Sequence, residues 1–112
     1  MGSTVSMHVL DTARGRPAQG ILVGLFALDE GHRRHIATAT TNADGRTDAP
    51  LATGLAPGTY EILFSVKEYF ARDATTAFFD AIPIRFRIDA GDGRYHVPLL
   101  LSPWGYTTYR GS

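Results

Sequence analysis

The groups in this 112-residue chain that could move protons or hold charge are four histidines and a set of arginines. His8 and His96 each sit inside an apolar alternating stretch, Met7-His8-Val9-Leu10 and Tyr95-His96-Val97-Pro98. Each lies on the face opposite the residues that would fill a core. Singly, such a histidine is more often a satisfied structural residue. Two on comparable strand faces point to a shared site, because imidazole titrates near neutral pH and is the usual general base. Arg46 follows Asp44-Gly45. It reads either as a surface arginine after a turn or as a fixed cation that stabilises an oxyanion or grips a planar, electron-rich ligand. His32 and His35, in Gly-His-Arg-Arg-His, read as an exposed loop. A His-x-x-His pair without acidic or Cys companions at ligand spacing is weak evidence for metal. The sequence has no Gly-x-Ser-x-Gly elbow, P-loop or dinucleotide fingerprint, and its acidic residues are too scattered for a two-carboxylate glycosidase site. With no cysteine, it has no thiolate nucleophile, disulfide or Cys-ligated zinc.

Something must hold these groups in place, and the punctuation says it is short strands. The chain has 12 Gly and 6 Pro, clustered at Gly15 to Pro17, Asp44-Gly45, Pro57-Gly58, Gly91-Asp92-Gly93 and Pro103 to Gly105. Breaks at that spacing suit an all-β sandwich or barrel. Tyr60, Ile62, Phe64 and Val66 share one face, with Thr59, Glu61 and Ser65 opposite. Ile82, Ile84, Phe86 and Ile88 share another, with Arg85 and Arg87 opposite. A period of two is a half-buried strand. Ile21 to Leu28 reads as a strand covered on both faces and Ile36 to Thr41 as its hairpin partner, across a loop at Asp29 to Arg34. Asn42 to Gly45 is a tight turn, and a short helix is expected near Lys67 to Ala71. In the strand from Arg94 to Ser102, the odd residues from Tyr95 to Leu101 face the core. His96, Pro98 and Leu100 face outward yet remain largely apolar, which makes this face a candidate subunit interface. Met7 and Val9 separate from His8 and Leu10 in the same way. Pro98 is awkward, since proline normally marks an edge or bulge.

Length and charge narrow the classes further. The length fits a single domain over 1–112, with residues 1–5 expected as a loose tail. Eleven basic and 11 acidic side chains leave no formal net charge. This argues against holding nucleic acid or an anionic membrane by bulk electrostatics. Lys67 is the only lysine, which coding bias explains more readily than function; arginine is also the better fork for carboxylates and ureides, so single arginines need inspection. No apolar run approaches the ~20 residues of a membrane span, and the N-terminus lacks signal-peptide features, so the expected compartment is the cytoplasm.

Three stretches carry a family resemblance: His8 to Thr12 with Gly15 to Ala18, the central Thr41 to Arg46, and the tail from Tyr95 to Ser112. Together they resemble the 5-hydroxyisourate hydrolases, the enzyme branch of the transthyretin-like family. The likeness runs from about Met7 to Ser112, and the terminal Tyr109-Arg110-Gly111-Ser112 is its most specific part. Met7 stands where Thr is common and Trp104 where Tyr is common. From about Lys67 to Asp92 the match is looser and carries no site.

The resemblance implies a transthyretin-like β-sandwich of two four-stranded sheets with one short helix. It also implies a homotetramer, a dimer of dimers whose central channel is lined by outer sheet faces. The implied reaction opens the cyclic amide of 5-hydroxyisourate to 2-oxo-4-hydroxy-4-carboxy-5-ureidoimidazoline, with no metal or cofactor. The family's site maps onto His8, Arg46 and His96 as catalytic groups, with His96 favoured as base over His8. Tyr109, Arg110, Gly111 and Ser112 map as substrate-binding. Two other readings are a non-enzymatic prealbumin-like binding module, which Gly15 to Tyr60 alone would fit, and a small-ligand carrier using the same channel.

Overall fold

The structure, a computed structural model, describes residues 2–89 and 93–112. Along the chain come β1 (Ser3–Asp11), β2 (Arg16–Pro17), β3 (Leu22–Asp29), β4 (His32–Thr40), β5 (Ala52–Leu55), β6 (Gly58–Ser65), α1 (Val66–Ala71), β7 (Ile82–Ile88), β8 (Arg94–Leu101) and β9 (Tyr106–Thr108). One sheet has the order β4-β3-β6-β7, antiparallel throughout. The other has β1 and β8 side by side and parallel, with β9 on the far side of β8. Two short strands share the outer edge of β1: β2 lies against Leu10 and Asp11, and β5 against Ser3 and Val5. They occupy opposite ends of that edge. The sheet therefore has five strands but is four wide at any level, as expected for this sandwich.

Alternation places the core between the sheets. Val5, Met7 and Val9 of β1 and Tyr95, Val97, Leu99 and Leu101 of β8 are buried in one cluster with Val23, Leu25, Ile62, Phe64, Ile82 and Ile88. Val66, Tyr69 and Phe70 turn one face of α1 into the same cluster. Tyr69 also ties the helix to the end of β1, its hydroxyl donating to Asp11 Oδ2 at 2.7 Å. Burial, then the bond to Asp11, pushes this phenol's pKa up to about 12.

The structure departs from the sequence expectations in four places. Residues 1–5 are not a loose tail over the part described, because β1 begins at Ser3 and both Ser3 and Val5 are fully buried. The loop expected over Asp29 to Arg34 shrinks to Glu30-Gly31, and His32 to His35 belong to β4. Glu61, expected on a polar outer face, is only 5% exposed, because Arg33 at 3.3 Å and Arg85 at 3.4 Å close over its carboxylate. Pro98 is buried in the middle of β8. The His96 carbonyl accepts from Gly111 N at 2.7 Å, so the backbone groups two residues on, at Pro98, also face the tail. The missing N–H therefore falls on the tail side and spares the ladder to β1. Of the Gly91-Asp92-Gly93 break, Gly91 and Asp92 lie outside the described residues.

Candidate active site

Parallel pairing of β1 with β8 puts Ser6 opposite His96, His8 opposite Pro98 and Leu10 opposite Leu100. All six alternate with core residues, so they form one patch on the outer face. Strand parity thus brings two histidines together from the two ends of the chain.

Arg46 arrives from the turn after β4. Asn42 folds this turn: its Oδ1 accepts from Asp44 N at 2.9 Å and Arg46 N at 3.2 Å, and its own N–H donates to Arg46 O at 2.7 Å. Thr41 anchors the turn from below, donating to Ala18 O at 2.7 Å and accepting from Ile21 N at 2.8 Å. Gly45 then docks on the stretch of β1 edge that β2 and β5 leave open, its carbonyl accepting from Val9 N at 2.8 Å. Only glycine fits there. Its φ is +73°, and a Cβ would stand 2.3 Å from Val9 O. Since Val9 follows His8, this docking sets Arg46 beside His8.

The tail supplies the opposite wall. The bridge between His96 and Gly111 keeps the register of the Leu99–Thr108 ladder past Pro98, with Thr108 Oγ1 donating to Pro98 O at 2.8 Å. Gly111 lies so close to His96 that a Cβ there would meet the ring's Cδ2 at 2.6 Å. Together these elements enclose an open cavity of about 280 Å³ lined by His8, Arg46, His96, Tyr109, Gly111 and Ser112, with Leu10, Pro98 and Leu100 as its apolar part.

Of the seven residues expected at the site, six meet in this cavity. Arg110 does not. In the extended tail it turns the other way, its guanidinium 4.3 Å from the Tyr95 ring centroid and donating to Arg94 O at 3.1 Å. It pins the tail rather than lining the pocket. His32 and His35 stand apart on the opposite sheet, where His35 Nε2 lies 2.6 Å from Thr38 Oγ1. Ser6, Asn42 and Gly45 were not singled out by sequence reasoning as site residues. Ser6 shares the parity of His8, which was the available signal. Its Oγ lies 2.8 Å from His96 Nδ1.

The charge pattern is one-sided. Burial, and then the neighbouring Arg46 cation, lower the His8 pKa, while the Asp44 backbone carbonyl and carboxylate oppose the shift. His96 is lowered by burial, Arg46 and His8, in that order. Both imidazoles are thus biased toward the neutral form at pH 7. Among the described residues no Asp or Glu side chain ion-pairs with Arg46 and none lines the cavity. Among them, too, no three His, Cys, Asp or Glu side chains gather to hold a metal ion. The arrangement suits an electron-rich ligand on which negative charge develops, beside two neutral bases.

A two-sheet sandwich with an imidazole pair and a guanidinium on one outer face defines a transthyretin-like domain with a polar site. The chain belongs to the HIUase/Transthyretin family, whose model matches residues 5–111. It is 49% identical to 5-hydroxyisourate hydrolase 2 of Rhizobium meliloti (strain 1021), covering 96% of this chain and 95% of that one. The solved 5-hydroxyisourate hydrolase of Klebsiella pneumoniae superposes with a TM-score of 0.85 at 35% identity, covering 97% of this chain and 99% of that one. Transthyretin from Sparus aurata superposes with a TM-score of 0.90 at 29% identity, covering 96% of each chain. Because the fold accommodates both names, the site must decide between them.

Proposed function

We propose that this chain hydrolyses 5-hydroxyisourate to 2-oxo-4-hydroxy-4-carboxy-5-ureidoimidazoline. The observation that carries this reading is the meeting of His8, His96 and Arg46, which no described Asp or Glu side chain pairs, in one outer-face cavity. His96, neutral at pH 7, takes a proton from water as the water attacks the cyclic amide carbonyl. Arg46 stabilises the negative charge that develops on the carbonyl oxygen. His8 orients the water. The ring C–N bond then breaks, and the proton held by His96 passes to the leaving nitrogen. Base and electrostatic contributions of this kind are each worth about 10² to 10⁴ in rate. Tyr109, Gly111 and Ser112 shape the pocket wall. A binding module or carrier has no use for a paired base, which argues against both other readings.

The cavity is open, and four copies would enclose it. Support for such a tetramer comes from exposed apolar surface near β9, where Phe78 is 68% and Trp104 69% exposed. Patches of this kind mark association surfaces. No helix among the described residues is long and apolar enough to cross a membrane. The cysteine-free composition fits the cytoplasmic setting we infer.

The test is the decay of freshly made 5-hydroxyisourate, followed by ultraviolet absorbance with and without protein. Acceleration is expected, with His8→Ala, Arg46→Ala and His96→Ala each losing about 10²-fold or more. Decay no faster than in buffer across neutral pH would overturn the reading.

A further inference from the structure

The mechanism requires one particular form of His96, and the structure assigns the residue that selects it. An imidazole acting as a base through Nε2 must carry its other proton on Nδ1, both before and after it accepts the proton from water. That N–H needs an acceptor in both states. Ser6 Oγ lies 2.8 Å from His96 Nδ1. The contact is built in by register, since Ser6 and His96 are direct partners across the parallel β1–β8 pair and face the same way. Gly111 packs beside the ring carbon Cδ2 with no room for a side chain, which fixes the ring without engaging either nitrogen. Nε2 is then the one ring nitrogen without a hydrogen-bond partner among the described residues, on a side chain that lines the cavity.

We propose that Ser6 is a positioning residue. Its hydroxyl oxygen accepts Nδ1–H, holds His96 in the tautomer whose Nε2 lone pair faces the substrate, and keeps that bond as the ring becomes an imidazolium. No other described group is placed to do this. The charged or titratable side chains that line the cavity beside His96 are His8 from β1, Arg46 from the turn after β4 and Tyr109 from the tail. Arg46 repels a protonated ring and offers it no acceptor. A serine hydroxyl suits the task because it accepts without bringing a charge that would trap the imidazolium, as a carboxylate would.

The proposal rests on the hydrolase reading for its consequence, but its structural content can be tested separately. Nitrogen-15 spectra of histidine-labelled protein report the tautomer of His96 directly, whatever the protein catalyses. Wild type is expected to show Nδ1–H, Ser6→Ala to shift His96 toward Nε2–H, and Ser6→Thr to restore Nδ1–H. In the decay assay Ser6→Ala is expected to lower kcat about tenfold with KM little changed, and Ser6→Thr to recover most of the rate. The acid limb of kcat/KM should move to lower pH in Ser6→Ala, because the imidazolium loses an acceptor. An Nε2–H tautomer in wild type, or a tautomer unchanged by Ser6→Ala, would overturn the assignment. If the labelled protein shows the expected tautomers yet no variant or wild type turns over 5-hydroxyisourate, the function fails and the positioning stands.

Discussion

His8 and His96 share a site with Arg46, and that proximity sets how the protein responds to acid. Both imidazoles have pKa values lowered from the ordinary range near 6.5, each chiefly by burial and then by Arg46. The sign follows from proton counting. Below pH 6.5 the unfolded chain protonates these rings before the folded one does, so stability falls as pH drops from 6.5 toward the folded-state values and then levels. More than about a unit above 6.5 the pair has no effect. Urea unfolding at pH 7.5, 6 and 5 should show this loss, and the His8→Gln/His96→Gln double variant should show a shallower one. The same shifts keep the base neutral, so kcat/KM should hold its plateau to below pH 6.5. Gly111 answers to space rather than charge. Gly111→Ala must push the His96 ring or the tail aside, since its Cβ would meet Cδ2 at 2.6 Å. Activity should fall at least tenfold with little change in Tm, because the tail strand is peripheral to the core. A rate near wild type would mean that the ring need not be held so closely.

The turn from Thr41 to Arg46 shows how an element carries a side chain into place. Gly45→Ala combines a left-handed φ with a Cβ 2.3 Å from Val9 O, so it should cost about 1–3 kcal/mol and release the turn from β1. A melting curve and the decay assay should drop together, whereas Arg46→Ala should lose activity with its melting temperature retained. Elements also set what the sequence reveals. β1, β6, β7 and β8 each bury one face, and their period-two pattern alone places His8 and His96 on the outer side. β4 is an edge strand with His32 to His35 all exposed, so it has no apolar alternation to read, and its charges passed for a loop. Resemblance gave the last four residues as a block but not their sides, which is why Arg110 was counted with Tyr109 and Gly111. Ser6 shares the parity of His8, but a serine on the outer face of a strand reads like any polar residue there. Only the register that pairs it with His96 reveals it.

At the scale of the whole molecule, the exposed aromatics near β9 need explanation. Phe79 stacks edge-on with both Phe78 and Tyr106, with ring centroids 4.9 and 5.2 Å apart, and Phe78 N donates to Pro103 O at 2.8 Å. This rigid apolar rim is costly to leave in water. Sedimentation equilibrium should therefore report a particle about four times the 12.2 kDa protomer mass. Phe78→Asp together with Trp104→Asp should dissociate it to smaller species. A monomer at micromolar concentration would mean that the cavity works as an open groove.

The parallel pair at the centre of the site also fixes its place in time. Ser6 and His96 are 90 positions apart in the chain, whereas β3 and β4 close on each other across two residues. Loops close at an entropic cost that grows with length, so the local hairpin is free to form early and the β1–β8 contact must wait. The imidazoles are therefore expected to meet late, after the local pairings have formed. A refolding chain should regain its strand signal first and its turnover last, which makes enzymatic competence a clock for the completion of folding.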